Sequence, residues 1–85
     1  MSYKVVVLDD ARRGMASLTP PRRKAVNEAV RGVLTARPLD VGEIFEGKGP
    51  TALRRLVLSQ AGVSISYRVF PDRVEVRIVW LIGHP

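Results

Sequence analysis

There is no cysteine in these 85 residues, and only one histidine, His84. Without thiols the chain can build neither a disulfide framework nor a thiolate metal site, and one imidazole is too few for a His-based site. No metal and no cofactor is therefore expected. No stretch approaches the roughly 18–20 apolar residues that a membrane span needs. The opening "MSYKVVVLDD" reaches acids after a few apolar residues, which is not the layout of a signal peptide. These absences lead us to expect a soluble, cytoplasmic protein. Repeats and low-complexity tracts are missing too, and the length suits one domain spanning 1–85 rather than two.

The chain does have apolar residues and positive charge. A hydrophobic fraction of 46% and a mean hydropathy of +0.04 belong to a folded globule rather than a disordered tail. A domain this short buries roughly 60–65% of its unfolded surface, so its core is thin. Fourteen basic residues against eight acidic ones give a net charge of +6. That balance suits a polyanion such as nucleic acid, or an acidic protein partner.

Residues 3–8, "YKVVVL", predict a first strand. Asp9 or Asp10 can cap the helix that follows, where Leu8, Ala11, Met15 and Leu18 recur at helical spacing. Thr19 suits an N-cap and Pro20 the first helical position, opening a second helix to about Thr35 with Val26, Val30, Val33 and Leu34 on one side. Arg22, Arg23, Lys24 and Arg31 lie elsewhere around it, and Pro38 stops it. Residues 37–52 read as a loop or short irregular stretch. Their "GKGP" lacks the spacing and the strand-before, helix-after context of a phosphate-binding loop.

From Arg54 onward the hydrophobic period is two. Strands are expected at 54–60, 63–70 and 73–82, joined at Ala61-Gly62 and Pro71-Asp72. Two-residue loops there would set Leu58 opposite Ile65 and Leu56 opposite Tyr67. They would also set Val69 opposite Val74, Tyr67 opposite Val76, Ile65 opposite Ile78 and Val63 opposite Trp80. All of these pairs are apolar, so this face is the one the helices should cover. On the other face Arg55 falls opposite Arg68, Arg68 opposite Glu75, and Arg77 nearby. Like charges across strands repel unless neutralised, so a phosphate or an acidic peptide would complete this set. His84 follows the last strand and reads, on its own, as a frayed terminal residue.

The succession of a "YKVVV" strand, two helices split by proline, "FEGKG", "LRRL", "SYRV" and a final "IGH" resembles the RelE/ParE superfamily of bacterial toxins, nearest the RelE and YoeB branches. The resemblance spans essentially the whole chain. It implies an α+β fold of order β-α-α-β-β-β, with a two-helix hairpin on one face of a mainly antiparallel four-stranded sheet. It also implies the toxin of a type II toxin–antitoxin system, silenced by an acidic antitoxin. The implied activity is ribosome-dependent cleavage of messenger RNA, by metal-independent attack of a ribose 2′-OH on the adjacent phosphate. Two alternatives remain open: a ParE-like inhibitor of DNA gyrase, and a toxin fold that only binds its antitoxin.

Strand cleavage by a 2′-OH needs a base, cations for charge growing on phosphorus, and an acid for the departing 5′-oxygen. Arginine grips phosphate oxygens in pairs, and histidine is the residue type that titrates near neutrality. Within the resemblance, Arg55 matches a basic residue of the RelE active strand and His84 the terminal histidine of the YoeB branch. The expected catalytic residues are His84, Arg68 and Arg77, with Arg54, Arg55 and Lys48 binding RNA or phosphate. The chain departs from the family pattern at Val57, at Ser64 where both branches place an arginine, at Thr51 or Ala52 in place of a carboxylate, and at Pro85 in place of a tyrosine.

Overall fold

A computed structural model of the chain describes residues 2–84. Lys4–Val7, with three β-branched valines in succession, forms β1, followed by α1 at Asp9–Ala16. Leu8 takes the N-cap with no side-chain bond, so the expected Asp cap is absent. Asp9 and Asp10 sit instead in the first turn, where the positive end of the helix dipole favours them. Thr19 and Pro20 start α2 as expected, and α2 runs over Pro20–Ala29. Its last stretch, Val30–Leu34, widens into a π-helical turn before Thr35.

Four more strands follow: β2 at Glu43–Glu46, β3 at Leu53–Leu58, β4 at Val63–Phe70 and β5 at Glu75–Gly83. They join β1 in one sheet of order β1-β5-β4-β3-β2, in which only β1 and β5 run parallel. The class is α+β, with five strands rather than the expected four. The extra strand, β2, lies within the stretch read as a loop. All four of its residues are exposed, so no hydrophobic alternation betrays it.

Ala11, Leu18, Val26 and Leu34 from the helical layer pack on Val63, Ile65, Tyr67, Val69, Val76, Ile78 and Leu81, forming the core on one side of the sheet. Gly14 lets α1 lie directly on β5, because a Cβ there would run into the Leu81 carbonyl.

The hairpin registers differ from expectation by two residues. Arg55 pairs with Ser66 and Leu56 with Ile65. The β3–β4 connection takes four residues, with the amides of Ala61 and Gly62 both bonded to the Leu58 carbonyl and Gly62 at φ 68°. The second connection is a 3₁₀ turn, Pro71–Arg73, closed by Val74 in the left-handed region at φ 50°. Val69 therefore pairs with Val76, and Arg68 with Arg77 rather than Glu75. A shift of two keeps every side chain on its expected face.

A bulge then breaks that regularity. Tyr67 pairs with Ile78 but Ser66 with Trp80, so Val79 is an extra residue in β5. Beyond it the alternation inverts: Leu81 enters the core at 5% exposure, while Trp80 and Ile82 turn to the uncovered side at 42% and 53%. The expected Val63–Trp80 core pair does not form, and Val63 pairs with Gly83.

Candidate functional site: the uncovered face of the sheet

The side of the sheet without helices carries Arg55 and Val57 from β3, Ser64, Ser66, Arg68 and Phe70 from β4, and Glu75, Arg77, Trp80 and Ile82 from β5. Ser64 and Ser66 are small and lie nearly buried, at 6% and 3%, below their taller neighbours. They floor a shallow trough. Arg55 and Val57 stand on one side of it, Trp80 and Ile82 on the other.

Arg68 and Arg77 face each other directly across β4 and β5. Like charges in that relation repel, and each guanidinium is partly satisfied. Arg77 Nε donates to Glu75 Oε2 at 2.8 Å, and its guanidinium carbon lies 4.6 Å from the Phe70 ring centre. Arg68 Nη1 donates to the Thr51 carbonyl at 3.1 Å. Arg55 is exposed and stacks over Phe45 at 4.2 Å. Glu43 is its neighbour across β2 and β3 but, among the described residues, makes no ion pair with it. Three guanidiniums thus share a face with two carboxylates, only one of which is engaged.

His84 is held in place rather than frayed. Its amide donates to the Gly62 carbonyl at 2.7 Å, and Arg22 of α2 donates through Nη2 to its carbonyl at 2.7 Å. Its Nε2 lies 2.6 Å from Ser64 Oγ. The bulge brings it there, because the inverted alternation puts residues 80, 82 and 84 on the uncovered side. A neutral imidazole offers one donor and one acceptor. When Ser64 donates to Nε2, Nδ1 carries the proton; when Nε2 donates, Nδ1 is a free base.

Two expected site residues lie elsewhere. Arg54 pairs with Tyr67 on the helix side of the sheet, and its Nη2 donates to the carbonyls of Leu39, Val41 and Gly42 at 3.2, 3.0 and 3.4 Å. Adjacent strand residues point to opposite faces, so only one of Arg54 and Arg55 can reach the trough. Arg54 instead ties down the loop after the helices, together with the Tyr67 hydroxyl, which lies 2.9 Å from both the Pro38 and Val41 carbonyls. Burial raises the Tyr67 pKa above the ordinary 10.0, and Arg54 partly offsets that rise. Lys48 is exposed in the connection between β2 and β3, the loop whose Thr51 carbonyl Arg68 holds.

Sequence reasoning missed Trp80, Ile82, Phe45, Arg22 and the role of Ser64. One signal was available. "IVWLI", residues 78–82, is apolar throughout, so alternation there cannot fix which residues face inward.

The fold is similar to that of toxins of known structure. The RelBE2 toxin–antitoxin complex from Mycobacterium tuberculosis matches at a TM-score of 0.80 and 26% identity, covering 99% of this chain and 100% of that one. The fold is that of RelE. The isolated E. coli RelE toxin gives a TM-score of 0.80 at 15% identity, over 99% of this chain and 86% of that one. The archaeal RelE–RelB complex from Pyrococcus horikoshii gives 0.78 at 24%, over 98% and 96%. No protein-family model matches the sequence, and no curated protein does. The RelE-like fold is thus matched at 15–26% identity.

Proposed function

We propose that this chain is the toxin of a type II toxin–antitoxin pair and that it cleaves messenger RNA on the ribosome. The observation that carries the reading is the common face of Arg55, Arg68, Arg77 and His84, the one side of the sheet that the helices leave open. The RelE likeness supports the toxin assignment, and the net charge of +6 suits both RNA and an acidic antitoxin.

In the proposed reaction the RNA backbone lies along the trough. Arg68 and Arg77 lie two cross-strand rows along the trough from Ser64 and His84. In this reading they leave Thr51 and Glu75 and swing toward the scissile phosphate, where an always ionised fork stabilises the charge that builds on its oxygens. The 2′-oxygen attacks phosphorus as it loses its proton, and the bond to the 5′-oxygen breaks as that oxygen gains one. His84 moves one of these protons, its ring orientation set by Ser64. Arg55 holds a neighbouring phosphate, and Lys48 adds positive charge at the loop beyond Arg68. The products are a 2′,3′-cyclic phosphate and a free 5′-hydroxyl.

Induced expression in a bacterial host tests the reading. Translation should stop within minutes, with new 5′ ends appearing inside coding regions, and co-expression of a cognate antitoxin should relieve both. A DNA-damage response with intact transcripts would point to gyrase instead, and normal growth to a fold that only binds its antitoxin.

A further inference from the structure

Trp80 is the chain's one tryptophan, and the bulge at Val79 takes it out of the core. A large aromatic ring left 42% exposed on β5, beyond the end of β1 where only β4 flanks the strand, needs a reason, since the inward position would have buried most of its surface. Its surroundings are specific. It shares a cross-strand row with Ser66 and Arg55, the small serine keeping the space between them open. Ile82 lies beside it along β5, with His84 beyond. In the other direction along β5 lies the Arg68–Arg77 pair. The other aromatic rings of this face are already occupied: Phe45 by Arg55, and Phe70 by Arg77 and Arg73. Among the described residues no guanidinium lies over Trp80.

We propose that Trp80 is the stacking platform for a nucleobase of single-stranded RNA lying in this trough, and thereby a determinant of how the strand is positioned for cleavage. The inference rests on the RNA-cleaving reading above and deepens it by naming a contact to a base. A flat, exposed indole beside cationic groups is the combination by which proteins hold single strands, the cations tracking phosphates while the ring takes any base face. Ile82 beside Trp80, and Val57 across the trough, would add apolar surface around the stacked base. The guanidiniums at one end and the imidazole at the other set the direction in which the backbone crosses the sheet.

Because no other tryptophan is present, intrinsic fluorescence reads this residue alone. The full chain is titrated at low salt with a short, uncleavable 2′-O-methyl RNA oligonucleotide carrying a terminal dye, following indole emission and dye anisotropy together. The expected result is saturable quenching with the same midpoint as the anisotropy curve. Trp80→Ala should bind about 5- to 150-fold more weakly, the range for loss of one stacked base, and Trp80→Phe should recover most of the affinity. Circular dichroism of each variant establishes that it is folded. Binding by anisotropy with unchanged indole emission and full affinity in Trp80→Ala would overturn the platform while leaving RNA binding intact. No binding by wild type, with or without ribosomes, would remove the RNA reading and the platform with it. Emission that shifts with protein concentration before RNA is added would put a second copy over Trp80 and also overturn the proposal.

Discussion

Tyr67 and Arg54 sit opposite each other on the covered side of the sheet, and the Tyr67 hydroxyl and Arg54 Nη2 both donate to backbone carbonyls of residues 38–42. Desolvation raises the Tyr67 pKa in the folded state above 10.0. The unfolded chain therefore loses the phenolic proton first as pH rises. The stabilisation is complete below about pH 10 and is lost as pH climbs through the folded-state value. Urea titrations at several alkaline pH values should show this fall, and Tyr67→Phe should flatten it, with about 1 kcal/mol less stability at neutral pH from the lost hydrogen bonds. An unchanged alkaline slope in the variant would mean that some other group controls it. A single step along β3 sends neighbouring arginines to opposite faces, Arg54 bracing a loop and Arg55 facing the trough.

At the scale of elements, α1 meets β5 through Gly14. Gly14→Ala should destabilise the protein by about 1–3 kcal/mol, overpacking against the Leu81 backbone outweighing the gain in helix propensity. Gly32→Ala is the control. A Cβ there meets nothing within 4 Å, so the change should raise the melting temperature by a few degrees where Gly14→Ala lowers it. Calorimetry of the two variants checks both signs.

Much of the architecture was legible in the sequence. The helix start at Thr19-Pro20, the period-two strands and the sorting of faces up to Ile78 all follow from patterns of residue type. Register was not legible, because loop length cannot be read from turn residues alone. Ala61-Gly62 and Pro71-Asp72 each look like the whole of a two-residue turn, yet each is half of a four-residue one. The bulge at Val79 was hidden by an unbroken apolar run, and it is what carries Trp80 and His84 to the open face. The anchoring of His84 by Arg22 was out of reach as well, since the two residues are 62 positions apart.

At the scale of the whole molecule, the helices cover one side of the sheet and leave the other to cations, an imidazole and an indole. The net charge of +6 adds a general attraction for polyanions, which fades as salt rises. In the proposed reading the local arrangement does what general charge cannot, which is to hold one phosphate where protons can be moved. The most direct measurement is cleavage of a defined message on programmed ribosomes, comparing wild type with His84→Ala and Arg68→Ala. We expect wild type to cut within the ribosomal A site. His84→Ala should bind normally and cut about 10²- to 10⁴-fold more slowly, the usual contribution of a general acid or base. Arg68→Ala should need more protein to reach half-maximal cutting. If both variants match wild type, or if wild type leaves the message whole, the uncovered face is not a nuclease site.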